Sequence, residues 1–580
     1  MTAIVRRPVP EAARQALARA GVHPVLARLL AARGVEDGAS LDPDLRGLLP
    51  PDGLRDIDVA AALLAEAIDA GRPVLVVADY DCDGATACAV AVRGLRAMGA
   101  RVDYLVPNRF VHGYGLGPAI VDLACAHPRL GRPALIVTVD NGIASVEGVA
   151  RARELGIEVL VTDHHLPGDR LPDAAAIVDP NRGDCGFASK HLAGVGVMFY
   201  VLLALRALLR SRGRFAAGAE PPLQALLDLV ALGTVADLVR LDRNNRLLVA
   251  AGLRRIRAGQ ACAGILALFA ASGRDPRRAG CEDLGFAVGP RINAAGRLED
   301  ITIGIECLLA DDSARAAELA GRLDAINRER REIEAGMREE ALADAGEPDP
   351  ARRSLVVFRD GWHEGVIGLV ASRLKDRHHR PTIAFAPAAG EPGMLRGSGR
   401  SIPGVHLRDT IDLVSKRHPD LIARFGGHAM AAGLSLPAGA LPQFSEAFEQ
   451  AIVETADPAC FERSLPTDGP LAADELALEL VEAIERGVWG QGFPAPLFSD
   501  VVEVSGQRLL KERHLKLDLR IGDRRIAGIA FGRTEPLPPR ARIAYRLARN
   551  EYRGLVSLEL VVEAVDDAPA DGDATGAAPL

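Results

Sequence analysis

Short apolar runs alternate with helical stretches through the first half of the chain. The apolar runs cover residues 74–77, 102–106, 135–139, 159–161 and 176–178. Fully apolar strands separated by helices are typical of a parallel sheet covered on both faces. The pattern therefore predicts a doubly wound α/β domain. Helices are predicted before it at 24–33 and 59–70, and an apolar helix follows it at 223–232.

The second half of the chain shows three further patterns. A long, strongly charged stretch at 310–345 contains no proline and predicts a solvated helix that joins two domains. A strand at 355–358, a helix at 366–377 and a strand at 382–386 then predict a second α/β unit. After about residue 465 the runs at 509–521, 524–531, 542–547 and 555–562 alternate as antiparallel strands do.

These patterns predict a multidomain α/β protein, because a chain of 580 residues is too long for one core. The predicted segments are a helical lead-in at 1–60, an α/β domain at 61–310, a connecting helix at 311–348, a second α/β domain at 349–460, a β-rich domain at 461–565 and a disordered acidic tail at 566–580.

Composition narrows the class of protein. The chain is 48% hydrophobic and 25% charged, as in soluble globular proteins, and we find no run of the ~20 apolar residues that a membrane span needs. Its eight cysteines lack C-x-x-C spacing, which favours reduced thiols in a cytoplasm. The net charge is −8, yet residues 501–565 contain 13 Lys and Arg against 8 Asp and Glu. A basic segment within an acidic chain indicates a separate anion-binding surface.

Acidic and histidine residues follow the predicted elements of the first α/β domain. Asp79, Asp81 and Asp83 come after the first strand, and Asp140 and the Asp163-His164-His165 triplet after later strands. Asp237 follows the apolar helix. Ligands of doubly wound sheets bind at the carboxyl ends of the strands, and carboxylate oxygens suit Mg²⁺, Mn²⁺ or Ca²⁺. The sequence therefore predicts a metal site at this edge.

The aspartate run has two other interpretations. An EF-hand loop shares the D-x-D-x-D-G spacing, but its twelfth position requires Glu and is Val90 here. A solvated acidic turn fits the run taken alone. A histidine pair is likewise more often structural when it stands alone, and its position beside the carboxylates favours metal binding.

Several motifs together resemble those of the DHH phosphoesterases. They are Asp79-Tyr-Asp-Cys-Asp-Gly84, Asp140-Asn-Gly142, Asp163-His-His165 and Gly233-Thr-Val-Ala-Asp237. Gly426-Gly-His-Ala-Met-Ala-Ala-Gly433 resembles the signature of the associated DHHA1 domain. Gly289-Pro-Arg-Ile-Asn-Ala-Ala-Gly-Arg297 and Gly361-Trp-His-Glu-Gly-Val-Ile-Gly368 narrow the resemblance to the single-strand-specific 5′→3′ DNA exonucleases of that superfamily. The resemblance covers about residues 20 to 565.

The resemblance implies a site for two divalent cations, Mn²⁺ or Mg²⁺. Its implied ligands are Asp79, Asp81, Asp83, Asp140, His164 and Asp237, with Asp140 as the bridge. His165 is implied to face the scissile phosphate. The implied catalytic set is Asp81, Asp83, Asp140, His164, His165 and Asp237. Two cations stabilise the attacking and leaving oxygens of a phosphodiester together; a single-metal site with structural carboxylates is the alternative.

The resemblance also implies substrate contacts outside the metal ligands. These are Arg109, His112, Arg291, Asn293, Arg373, Ser398, Arg400, Gly427 and His428, the last five on the DHHA1 domain, where they would hold a terminal 5′-phosphate. Each has a structural alternative: polar loop groups at 109 and 112, a capping network at 291 and 293, and a solvated helix residue at 373. The glycine-rich stretch 397–401 could present backbone N–H groups to phosphate, although tight turns use the same residues.

The basic β-rich segment resembles an OB-fold that binds single strands through charge and stacking. Its candidate DNA contacts are Lys511, Arg513, Lys516, Arg524, Arg525, Arg546 and Arg549, with Phe531 and Tyr545 for stacking. Individually, each cation is more often a solvated surface group.

Taken together, the resemblance implies a cytoplasmic, metal-dependent exonuclease that hydrolyses single-stranded DNA to 5′-mononucleotides in recombination and repair. A helicase, a single-strand-binding protein and a monomeric state are the implied context. The alternatives are a phosphodiesterase of short oligonucleotides or cyclic dinucleotides, and a binding scaffold without activity. The complete carboxylate set argues against the scaffold, and the basic domain argues against a small substrate.

Overall fold

The structure is a computed structural model that describes residues 2–41, 43–107, 115–216, 218–345, 349, 351–552 and 554–566. The substrate-contact candidates Arg109 and His112 lie outside the described residues, as does the predicted tail beyond residue 566. The chain divides into two units. One comprises Pro43–Met337 with Val488–Phe493, and the other comprises Met1–Asp42, Arg338–Gly487 and Pro494–Leu580.

A five-stranded parallel sheet forms the centre of the first unit. Its strands lie in the order Val102–Leu105, Val74–Ala78, Leu135–Val139, Glu158–Thr162 and Ala176–Val178. All five predicted strands and the doubly wound fold class are confirmed. The order reverses beside Val74–Ala78, so the carboxyl end of this strand lies at the position where such sheets bind ligands.

Helices surround this sheet and continue beyond it. They are Ile57–Asp69, Cys82–Ala97, Pro118–Cys125, Val146–Glu154, Gly194–Ser211, Leu227–Ala236, Arg243–Arg257, Ala263–Ala271, Gly289–Leu298, Thr302–Leu309 and Ser313–Ala345. The last is the long charged helix that the sequence predicts, and its residues from Arg338 onward belong to the other unit. By length and composition Gly194–Ser211 could cross a membrane, but 61% of it is buried inside the structure, as in the core helix of a folded domain.

The second unit contains a mixed sheet and a barrel. The sheet order is Arg424–Gly427, Ala431–Pro437, Met394–Arg400, Thr382–Pro387 and Leu355–Phe358, with only the last pair parallel. Its helices are Ile367–His378, Leu407–Arg417 and Leu441–Thr455. The glycine-rich stretch at 397–401 does not form a tight turn, because residues up to Arg400 lie inside a strand with paired neighbours on both sides.

The predicted OB barrel is confirmed as a closed five-stranded barrel. Its strands lie in the order Phe498–Leu510, His514–Ile521, Arg524–Ala530, Leu555–Asp566 and Arg540–Tyr552. The single strand predicted at 509–521 is wrong: Lys511 and Glu512 adopt φ values of 50° and 54° and form a turn between two strands. Tyr545 is also not a stacking surface, because it is fully buried and its hydroxyl donates to Asp500.

The N-terminal residues belong to the same unit as the barrel. A strand that the sequence pattern does not reveal, Thr2–Arg6, pairs in parallel with Arg463–Thr467. The helices Glu11–Arg19 and Pro24–Ala31 follow it. The guanidinium of Arg33 donates two hydrogen bonds to the carboxylate of Asp468, and both side chains are only 1% exposed. This buried ion pair fixes the N-terminal helices beside the barrel core.

Candidate metal centre

The aspartate run turns the chain from the first strand of the parallel sheet into a helix. Asp81 is the N-cap residue of Cys82–Ala97, and its Oδ1 accepts from the N–H of Gly84 at 3.0 Å. A Cβ at Gly84 would lie 2.5 Å from the carbonyl oxygen of Asp79, so only glycine allows this tight return. The turn places Asp79 and Asp83 in buried positions beside the strand end.

Asp140 occupies the end of the neighbouring strand in an unusual backbone conformation. Its φ of 61° is left-handed, which aspartate tolerates better than most side chains. Asn141 joins the two strand ends, because its Nδ2 donates to the carbonyls of Val77 at 3.2 Å and Val139 at 2.9 Å. Gly194 makes room for the carboxylate, since a Cβ there would lie 2.6 Å from that of Asp140.

Asp83 is held by the N-terminus of the buried helix Gly194–Ser211. Its carboxylate accepts from the N–H groups of Gly194 at 2.6 Å and Val195 at 3.0 Å. The positive end of the helix dipole favours an anion at this position. Burial and the neighbouring Asp81 nevertheless raise the pKa of Asp83 to about 7.

His164 lies at the centre of the cluster. Its Nε2 is 3.1 Å from Asp140 Oδ1, 3.5 Å from Asp237 Oδ2 and 3.8 Å from Asp83 Oδ2. Three overlapping groups place their ligand atoms within 4.8 Å of one another: Asp140, His164 and His165; Asp83, His164 and Asp237; and Asp79, Asp81 and Asp140. Asp140 belongs to two of the groups, as a bridging ligand would. The structure thus brings together all six predicted ligands.

The donor set fits a divalent cation. Among the described residues, Asp140 Oδ1 and Asp237 Oδ2 are buried oxygen atoms that form no hydrogen bond. Burial and the surrounding carboxylates raise the pKa values of Asp140 and Asp237 well above the usual range. Carboxylates this close repel one another unless a cation lies between them. The approach of His164 Nε2 to Asp140 Oδ1 at 3.1 Å is a spacing that two ligands of one ion can adopt.

His165 is oriented by a residue whose role the sequence does not reveal. Asp163 Oδ1 lies 2.7 Å from His165 Nδ1 and accepts from the backbone N–H groups of His164 and His165. Its Oδ2 accepts from the N–H of Ile143 at 2.9 Å. Burial lowers the pKa of His165, but the bond to Asp163 and the nearby carboxylates outweigh burial and raise it to about 9. Asn181 adds a further constraint by donating to the carbonyl of His164.

The two residues predicted from the Gly289–Arg297 motif have structural partners. Asn293 accepts from the backbone N–H of Cys82 at 2.8 Å, so it supports the aspartate turn. Arg291 is 6% exposed, pairs with Asp324 at 2.7 Å and donates to the carbonyl of Ala287. These contacts favour the structural alternative for Arg291 over a contact with substrate.

Part of the predicted phosphate-binding group is assembled within the second unit. Arg400 Nη1 donates to Ser398 Oγ at 3.2 Å, and burial lowers the pKa of Arg400. Gly368, in the first turn of Ile367–His378, adjoins both: a Cβ there would lie 2.8 Å from Ser398 Oγ and 3.0 Å from Arg400 Nη2. Gly427, with φ 140°, ends the edge strand Arg424–Gly427 of the same sheet, and exposed His428 follows it; Arg373 is exposed on the helix.

The barrel cations differ in how far local carboxylates neutralise them. Lys516 pairs with Glu559, Arg546 with Glu563 and Arg549 with Glu482. Arg524 donates to the carbonyl of Ala473 at 3.0 Å. Lys511, Arg513 and Arg525 are exposed. Phe531 is 60% exposed, and its ring meets that of His514 edge-on, with the ring centroids 5.2 Å apart.

Known protein families match most of this chain. Three family models match: "DHH family, N-terminal domain" at residues 73–234, "DHHA1 domain" at 353–454 and "RecJ OB domain" at 467–564. The single-stranded-DNA-specific exonuclease RecJ of Salmonella typhimurium is 48% identical over 94% of this chain and 96% of its own. That of Escherichia coli is 47% identical over the same shares of the two chains.

Solved structures with the same overall fold are also RecJ proteins. RecJ from Thermus thermophilus in complex with Mn²⁺ superimposes with a TM-score of 0.81 and 32% identity, covering 98% of this chain and 80% of that one. Its complex with Mg²⁺ gives a TM-score of 0.77 and 30% identity over 98% and 79%. The chain belongs to the RecJ family of DHH proteins.

Proposed function

We propose that this protein is a metal-dependent exonuclease that hydrolyses single-stranded DNA from its 5′ end to 5′-mononucleotides, in recombination and repair. One observation carries the proposal: ligand atoms of Asp140, His164 and Asp237 converge, and two of them are buried oxygen atoms without a hydrogen bond. Family membership supports the substrate class, since the relatives are named single-stranded-DNA-specific exonucleases.

The proposed ligands are the residues of the cluster described above. Asp79, Asp81, Asp83, Asp140, His164 and Asp237 would hold two divalent cations, Mn²⁺ or Mg²⁺, with Asp140 between them. Bound there, such ions would lower the pKa of water and stabilise charge on the attacking and leaving oxygens of a phosphodiester. The helix N-terminus at Gly194 fixes the orientation of Asp83. The left-handed backbone of Asp140 directs its carboxylate toward His164.

His165 is proposed to contact the scissile phosphate. Asp163 accepts from His165 Nδ1, which leaves Nε2 as the atom that meets a substrate. A protonated imidazole donates from Nε2 to a non-bridging phosphate oxygen, and the nearby Asp163 favours that protonated form by raising the pKa of His165. His165 would thereby stabilise charge that develops on the phosphate in the transition state.

Recognition of the strand is proposed to be shared by the second unit. Ser398 and Arg400, beside the first turn of Ile367–His378, offer a hydroxyl and a guanidinium suited to a terminal 5′-phosphate. Arg373, Gly427 and His428 complete this proposed set. The barrel would bind the strand through Lys511, Arg513, Arg525 and the exposed ring of Phe531.

We also propose a cytoplasmic, monomeric enzyme that works with a helicase and a single-strand-binding protein. The eight free cysteines support a reducing compartment. A helicase would supply the single strand that this chemistry requires.

The direct test uses three DNAs labelled at the 3′ end: a single strand, a blunt duplex and a single strand blocked at its 5′ end. With Mn²⁺, we expect stepwise shortening of only the unblocked single strand, and no reaction with a chelator. Degradation of the blocked strand would refute the polarity. Cleavage only of very short or cyclic nucleotides would instead place the enzyme among the small-substrate phosphodiesterases of the superfamily.

A further inference from the structure

Six residues from the C-terminal part of the sequence belong to the unit that contains the metal-ligand cluster. Val488–Phe493, here called the hook, clusters with Pro43–Met337, whereas the flanking segments Arg338–Gly487 and Pro494–Leu580 belong to the other unit. Its sequence is Val-Trp-Gly-Gln-Gly-Phe. The hook lies inside the predicted β-rich segment at 461–565, where nothing in the sequence pattern associates it with catalysis.

The hook is a tight turn stiffened by its own contacts. Gly490 and Phe493 exchange two backbone hydrogen bonds, at 2.9 and 3.0 Å. The rings of Trp489 and Phe493 stack with centroids 5.4 Å apart and an interplanar angle of 15°. Gly492 has a φ of 70°, which glycine adopts without strain. The six residues therefore present one defined surface.

The hook bonds directly to the N–H of Leu241 and reaches its carbonyl through Arg246. The carbonyl of Gln491 accepts from the N–H of Leu241 at 2.8 Å. The carbonyl of Leu241 accepts from Arg246 Nη1 at 3.0 Å, and the Arg246 guanidinium lies 4.2 Å from the centroid of the Phe493 ring. Arg246 is thus fixed by the hook through a cation–π contact.

The hook lies so close to residues 240–241 that two of its positions leave room only for glycine. A Cβ at Gly490 would lie 2.7 Å from Leu241 Cδ1, and a Cβ at Gly492 would lie 2.5 Å from Arg240 Cγ. Leu241 itself is 3% exposed. The hook therefore packs closely against residues 240–241.

Leu241 ends the short connection that begins at the predicted metal ligand Asp237. The N–H of Asp237 still bonds to the carbonyl of Gly233, at the end of the preceding helix. Leu238, the next residue, adopts a left-handed φ of 61° and is 64% exposed. Three features fix the other end of this short connection: the N-cap Asp242 of Arg243–Arg257, Asn245, whose Nδ2 donates to the carbonyl of Arg240 at 2.9 Å, and the hook, which accepts from the N–H of Leu241.

We propose that the hook is a positioning element for Asp237, a conclusion that rests on the metal-dependent function proposed above. By holding Leu241 and Arg246, it sets the path of residues 237–241 and so the place of the Asp237 carboxylate beside His164, 3.5 Å away. Residues that orient a metal ligand typically contribute roughly 10- to 100-fold to metal affinity or activity. Loss of the hook should therefore weaken metal binding rather than DNA binding.

The experiment compares Phe493→Ala with Phe493→Tyr in the full-length chain. Mn²⁺ affinity is measured by calorimetry without DNA, and kcat and KM are measured on single-stranded DNA. We expect Phe493→Ala to weaken Mn²⁺ binding roughly 10- to 100-fold and to lower kcat at limiting Mn²⁺, with KM for DNA unchanged. Phe493→Tyr keeps the ring under Arg246, so its Mn²⁺ affinity and its kcat should equal those of the wild type. Phe531→Ala, an aromatic deletion in the barrel, should keep wild-type Mn²⁺ affinity.

Several outcomes would overturn the inference. Wild-type Mn²⁺ affinity in folded Phe493→Ala, or a rise in KM alone, would show that the hook does not position a metal ligand. If Phe493→Ala does not fold, Arg246→Met decides, because it removes the donor to Leu241 while keeping a side chain of similar length. Failure of the wild-type protein to bind Mn²⁺ would instead refute the proposed function itself.

Discussion

The metal-ligand cluster and the barrel surface use charged side chains in opposite ways. In the cluster, buried carboxylates are brought together against their mutual repulsion, and the pKa values of Asp140 and Asp237 rise accordingly. On the barrel, cations lie apart on the surface, and several are already paired, such as Lys516 with Glu559 and Arg546 with Glu563. The cluster concentrates negative charge that a bound cation would balance. The barrel distributes positive charge over its surface.

This difference teaches where single substitutions matter. No other side chain can take the place of a carboxylate in the cluster, because backbone contacts fix the ligand positions, as those of Gly194 and Val195 fix Asp83. A cation on the barrel is one of many that attract a polyanion. Variants of the cluster should therefore change kcat steeply, and variants of the barrel should change KM gradually.

The largest effect is expected for Asp140→Asn. Asparagine tolerates the left-handed backbone, so the fold should persist, while loss of the shared ligand should lower turnover roughly 10³-fold or more. Without metal, this variant should melt a few degrees higher than wild type, because one buried negative charge is gone. Single-turnover hydrolysis and thermal denaturation with a chelator measure both. Turnover within about tenfold of wild type would contradict the cluster assignment.

A smaller effect is expected for Asp163→Asn, which weakens the support of His165. We expect a loss of roughly 10- to 100-fold in kcat. Because the hydrogen bond to Asp163 contributes to the raised pKa of His165, the variant should lower that pKa and shift the alkaline limb of the pH–rate profile to lower pH. A reduced rate with an unmoved profile would argue that Asp163 serves only to fold the loop.

On the barrel, the combined substitution of Lys511, Arg513 and Arg525 by alanine should raise KM for a long single strand roughly tenfold, with kcat unchanged. The logarithmic slope of the salt dependence should weaken by about 0.7 for each phosphate that is no longer neutralised. Combined substitution of Lys516, Arg546 and Arg549 by alanine is the matched control, since these three cations already pair with glutamates. An equal rise in KM for the control would show that local pairing does not limit the DNA contacts.

The smallest effect distinguishes two aromatic residues of the barrel. Phe531→Ala should raise KM about fivefold, because one base–aromatic stack contributes roughly 1 kcal/mol. Tyr545→Phe should leave KM unchanged and lower stability by about 1 kcal/mol through removal of the hydrogen bond to Asp500. Measured KM values and denaturant unfolding separate the two. A raised KM for Tyr545→Phe would contradict its buried position.

The fold is predictable where the pattern of apolar residues is local. The five parallel strands are continuous apolar runs, and the cluster residues follow their ends, so chain order alone places Asp79, Asp140 and His164 at one edge. The turn at Lys511 and Glu512 escapes the pattern because both residues are charged in a run of alternating polarity. The stacking role predicted for Tyr545 is wrong because alternation does not tell which face of a barrel strand is inside.

Other features of the site depend on contacts between residues far apart in sequence. Gly194 admits the Asp140 carboxylate, and Asn293 supports the aspartate turn at Cys82 although 211 positions separate the two residues. The hook joins Gln491 to Leu241. No spacing or periodicity in one sequence encodes such contacts, and the charge count of the barrel likewise conceals which cations are already paired.

The most direct test of the central claim is electron paramagnetic resonance of bound Mn²⁺, with single-turnover hydrolysis followed in parallel. Wild-type protein should bind two Mn²⁺ ions close enough for their spins to couple, and hydrolysis should appear as the coupled signal appears. Asp140→Asn should lose the coupled signal and the activity together. Isolated, uncoupled Mn²⁺ in an active wild-type enzyme, or coupling and activity retained in Asp140→Asn, would contradict the two-metal cluster.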